Sequence, residues 1–147
     1  MKAWLKNSFS EAAWAPVTVF AVYAIAAKGL NVYILYPLLD MPTHFFGGVA
    51  ITYFFLAAVA HSEMLTGAIP KVIQLPLALG LAAITAVVWE FLEYISDVAF
   101  GTKMNLGVSD TMSDLFFGLL GGTVMIVFAT RSARFDSAFS RRADNEA

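Results

Sequence analysis

No residue between Lys71 and Glu90 carries a formal charge, and this run limits what the chain can fold into. An apolar stretch of about 20 residues crosses the roughly 30 Å hydrocarbon core of a bilayer as one helix. Comparable segments recur, so spans are expected at about 14–36, 40–60, 75–96 and 111–130. Composition agrees: the chain is 59% hydrophobic and 14% charged, whereas soluble domains carry roughly 25% charged residues. The expected class is all-α, an integral membrane four-helix bundle with a short interfacial N-terminal helix and a polar cytoplasmic tail. Residues 1–130 form one domain and residues 131–147 the basic, partly disordered tail.

Charge along the chain orients it. Lys2 and Lys6 precede the first apolar run, and Arg131, Arg134, Arg141 and Arg142 follow the last. Basic flanks mark the cytoplasmic side, so a multi-pass membrane protein with both termini in the cytoplasm is expected. The first run ends in "AIAAK", which has the small residues of a signal-peptide cleavage site; the expectation is a retained transmembrane helix. Lys28 interrupts it and must snorkel or find a partner. The absence of cysteine excludes disulfides and thiolate metal sites. The arginines of the tail suit anionic lipid rather than nucleic acid.

Against this apolar background the acids stand out. In "VVWEFLEYISDVAF", residues 87–100, Glu90, Glu93 and Asp97 follow at helical spacings of three and four. A carboxylate at the centre of a membrane helix costs about 2.5–3.5 kcal/mol on insertion scales. The expected topology brings these acids to the membrane depth of Asp40 and His44 on the second span and Asp110 and Asp114 on the fourth. Each set shares a helical face. Gly47, Gly48, Gly118 and Gly122 lie beside those faces, and small residues let membrane helices approach closely. Six carboxylates and one imidazole thus face two outer-side lysines, Lys28 and Lys103.

Either several of these acids carry protons or bound cations supply the missing charge. A divalent metal held by Asp40, His44, Glu90, Glu93, Asp97, Asp110 and Asp114 is the economical solution. Carboxylates with one histidine favour Zn, Mn or Fe, with Mg or Ca as the all-oxygen alternatives. Blander roles compete: Asp40 and Asp110 as helix caps, Asp97 as a solvated loop residue, His44 as a core histidine, and the whole set as a protonated network fixing helix register. Glu90, Glu93 and Asp114 lie within spans and resist those roles. His61 and Glu63 belong to the opposite membrane face, and Trp89 reads as an interfacial or packing aromatic.

The stretches "LLDMPTHFFGG", "WEFLEYISD" and "GVSDTMSDLFFGLLGG" resemble the YjdF-like family of small bacterial inner-membrane proteins. The shared pattern is an Asp with a His four residues on, a W-E-x-x-E helix end, and D-T-x-x-D before glycines. Here it falls on Asp40, His44, Trp89, Glu90, Glu93, Asp110, Thr111 and Asp114, within about residues 38–122. VanZ-like proteins share the Asp-x-x-x-His element more loosely. The resemblance implies no reaction. It does imply longer relatives, whose extra helices self-association or a partner would replace here.

Three functions follow from these readings. The first is a metal site near the outer membrane face that acts on lipid headgroups or lipid-linked substrates. The second is a non-catalytic subunit of a homo-oligomer or larger membrane complex. The third is an ion or proton transporter, disfavoured by the apolar inner halves of the helices.

Overall fold

The computed structural model describes residues 1–26, 30 and 32–132. They form α1 (Lys2–Ala12), α2 (Trp14–Ala24), α3 (Val32–Leu35), a 3-10 turn (Pro37–Leu39), α4 (Asp40–Thr66), α5 (Lys71–Phe100) and α6 (Val108–Arg131). No strand occurs among the described residues. Lys28 and the tail beyond Ser132 lie outside them, so the expected pairing of Lys28 and the expected form of the tail do too.

Three of these helices, α4, α5 and α6, are long and apolar enough to cross a membrane. With 27, 30 and 24 residues, they reach about 40, 45 and 36 Å at 1.5 Å per residue. Each exceeds the core thickness, and each extends past the boundaries expected from hydropathy alone. Their ends have local causes. Gly67 at φ 78° stops α4, and Pro70 opens α5. Gly101, in the left-handed conformation at φ 65°, stops α5. Glu63 Oε1 pins the α4–α5 turn by accepting from the Ile69 amide at 3.0 Å and from Gln74 Nε2 at 2.6 Å.

Ahead of these, α1 is the short N-terminal helix expected from the sequence, and α2 begins at Trp14, where the first span is expected to begin. Pro16 lies in the first turn of α2, where its missing N–H is tolerated, and the chain breaks at Ala13 into two helices of 11 residues each. The α-helical turns of the second end at Ala24 and pass into a π turn at Ile25 and Ala26. Tyr36, which precedes Pro37, is not helical, as sterics before proline favour. Both short helices pack along α4. Trp4 Nε1 donates to the Ala58 carbonyl at 2.9 Å, and Glu11 Oε2 meets His61 Nε2 at 2.7 Å. The Trp14 ring packs edge-on to Tyr53, and Phe20 and Tyr23 pack on Trp89. Hence α1 attaches to the half of α4 that ends at Thr66, and α2 to the half that begins at Asp40.

Helices α4 and α6 run parallel and touch through glycine. A Cβ on Gly48 would overlap the Gly118 carbonyl oxygen, and one on Gly121 the Phe45 carbonyl oxygen. Toward the far end, Leu56, Val59, Ala78, Met125 and Ala129 form the apolar core. The N-terminus and the end of α6 therefore share one end of the bundle. The starts of α4 and α6 and the end of α5 share the other.

Candidate metal centre

At that second end the three long helices bring acids together. His44, Glu90, Glu93 and Asp114 each offer a ligand atom, and these four atoms lie within 4.8 Å of one another. Asp40, Asp110 and Asp114 form a second group under the same limit. Asp114 belongs to both. The imidazole sits between carboxylates, with Nε2 3.5 Å from Asp40 and 3.8 Å from Asp114 and Nδ1 3.9 Å from Glu90. Among the described residues, His44 is the one basic side chain within ion-pair distance of these acids.

Burial makes the arrangement costly as it stands. Glu90, Glu93 and Asp114 are only 4%, 3% and 2% exposed. One oxygen of each (Glu90 Oε2, Glu93 Oε2, Asp114 Oδ2) is buried without a hydrogen-bond partner. A buried carboxylate is stable when it is protonated, paired or coordinates a metal, so three orphaned oxygens beside an imidazole make a donor set of the kind a cation could occupy. The four ligand atoms are close enough together for one ion to reach them all.

The remaining acids divide. Asp40 lies in the first turn of α4 and Asp110 in that of α6, and neither helix has a side-chain cap. Asp110 Oδ2 instead accepts from the Leu106 amide at 2.8 Å. Asp97 joins neither group. Its oxygens accept from the Thr102 hydroxyl and from the amides of Met104 and Asn105, both at 2.9 Å, and so clamp the loop after α5. Asn105 continues that clamp, donating to Thr111 Oγ1 at 2.6 Å.

Trp89 does more than pack. Its Nε1 donates to Glu93 Oε1 at 2.8 Å, which fixes how that carboxylate enters the cluster. The i, i+4 spacing of the two residues was the sequence signal for it. Behind Trp89 and His44, an apolar cavity of about 160 Å³ opens between α2, α4, α5 and α6.

Fold and site define a polytopic helical membrane protein with a buried acidic cluster at one end of its bundle. The chain belongs to the predicted membrane protein family DUF2238, whose model matches residues 1–134, in keeping with its resemblance to YjdF-like proteins. An uncharacterised protein of Thermotoga maritima is 30% identical over 117 residues, covering 78% of this chain and 60% of the relative. The chain thus spans about 60% of that relative's length. No solved structure matches.

Proposed function

We propose that the protein holds divalent cation at the His44, Glu90, Glu93 and Asp114 group, with Asp40 and Asp110 completing a second position through shared Asp114. The loaded site faces the outer side of the bacterial inner membrane and acts on the phosphate-bearing headgroup of a lipid or lipid-linked substrate. Its main support is the set of three buried carboxylate oxygens without partners. One imidazole among carboxylates favours Zn, Mn or Fe over Mg or Ca. Such a cation polarises a phosphoryl oxygen and acidifies a coordinated water. The protein's own groups orient the site: Trp89 holds Glu93, and the Asp97 and Asp110 loop contacts hold the start of α6. Lys2, Lys6, Lys71 and Arg131 stand toward the opposite end, which the positive-inside rule assigns to the cytoplasm.

Elemental analysis of the purified protein tests this reading. Wild type is expected to carry near-stoichiometric Zn, Mn or Fe, and a Glu93→Ala/Asp114→Ala variant to lose it. An equally metal-free wild type, after dialysis against each cation, would overturn it and leave a protonated packing network.

A further inference from the structure

The cavity beside the cluster is apolar along nearly its whole wall. Gly47 and Gly48 on α4 and Ala82, Ala83 and Ala86 on α5 create the space, and α2 closes it with Pro16 through Tyr23. At Gly47 an added Cβ meets nothing within 4 Å. Apolar cavities of about 150 Å³ stay dry and take up hydrocarbon, and this one lies at membrane depth, where hydrocarbon is the surrounding solvent. Two of its lining residues, Phe20 and Leu119, are also exposed on the lipid-facing surface, so the cavity reaches the bilayer sideways. Its other end is His44 and Trp89, the two residues that contact the acids.

We infer that the cavity is the tail site of an anionic phospholipid: one acyl chain lies between α2, α4 and α5, and the phosphate meets the cation-loaded cluster. This inference rests on the metal reading for the headgroup and on the cavity alone for the chain. Coordination selects the lipid, because a divalent cation in the cluster would accept a phosphate oxygen as a further ligand, which bare acids could not. No gap separates the two halves, since His44 lines both.

The test is native mass spectrometry of the full chain in maltoside detergent, loaded with Mn²⁺ and titrated with palmitoyl lysophosphatidate. Wild type is expected to retain one lipid. Gly47→Leu, which fills the cavity without touching the acids, is expected to weaken binding at least tenfold and leave metal content unchanged. Ala83→Leu gives the same result from the opposite wall, should either variant fail to fold. The Glu93→Ala/Asp114→Ala variant loses metal and lipid together. Lipid binding unchanged in both filled variants would overturn the inference, as would displacement of the lipid by inorganic phosphate at equal concentration. Metal retained with no lipid bound would overturn it and leave the metal reading standing. Lipid binding sensitive to Gly47→Leu in a protein that takes up no metal would keep the tail site and remove the metal.

Discussion

Asp97 and Asp114 are the same side chain in two different roles, and their surroundings decide which. Asp97 spends both oxygens on the Thr102 hydroxyl and two loop amides, whereas Asp114 is 2% exposed with one oxygen unpartnered. From sequence both sat on acid-bearing faces, since spacing records direction around a helix but not where the helix stops. Gly101 ends α5 one turn after Asp97, and the returning loop claims its carboxylate. Trp89 is the converse case, an aromatic whose indole N–H orients the buried Glu93 carboxylate. Groups that orient metal ligands typically contribute 10- to 100-fold to affinity. Trp89→Phe is therefore expected to weaken metal binding by about that factor, read by competition with a fluorescent chelator. Asp97→Asn is expected to keep metal affinity within about twofold while lowering stability by about 1–3 kcal/mol, the usual cost of losing hydrogen bonds to a charged group.

Between elements, glycine controls the approach of α4 and α6, and its effect is position-specific. Gly47 and Gly48 looked equivalent in sequence, both one turn past His44. In the structure Gly48 lies against the Gly118 backbone, while Gly47 opens to the cavity. Gly48→Ala must push the helices apart and is expected to cost at least the 1–3 kcal/mol typical of overpacking, with metal lost as Asp114 moves away from His44. Gly47→Ala meets no atom and is expected to be neutral in stability and metal content. Thermal unfolding in detergent, followed alongside metal release, separates the two. The three long helices were legible because their apolar runs have no competing interpretation. The segment before them was legible at its edges, since α1 is the short helix expected ahead of Trp14 and the helical residues end at Leu35, just before Pro37. The close of the α-helical turns at Ala24 was not, because the sequence stays apolar past that point.

The whole molecule joins a polar end to an apolar body, and its sidedness follows from how the helices alternate. Helices α4 and α6 run one way and α5 the other, which puts the α4–α5 turn opposite the cluster and the α5–α6 loop beside it. Helices α1 and α2 together run beside α4 from His61 to Thr43, so the N-terminus stands at the end where α6 finishes. Relative sidedness is thus a property of the packing, and only the assignment to cytoplasm or exterior rests on charge. The chain has no cysteine, so single cysteines report without background. Lys103 and Ala68 are exposed in the two loops. Lys103→Cys is expected to react with a membrane-impermeant maleimide in intact spheroplasts, and Ala68→Cys only after the membrane is permeabilised. The reverse pattern would place the cluster on the cytoplasmic side. The proposed metal and tail sites would survive that result, but the lipid headgroup proposed to meet them would then belong to the inner leaflet. Labelling of both positions in intact spheroplasts would contradict the crossing of α5, since the 30 residues between the two loops have no other way to bury their uncharged stretch.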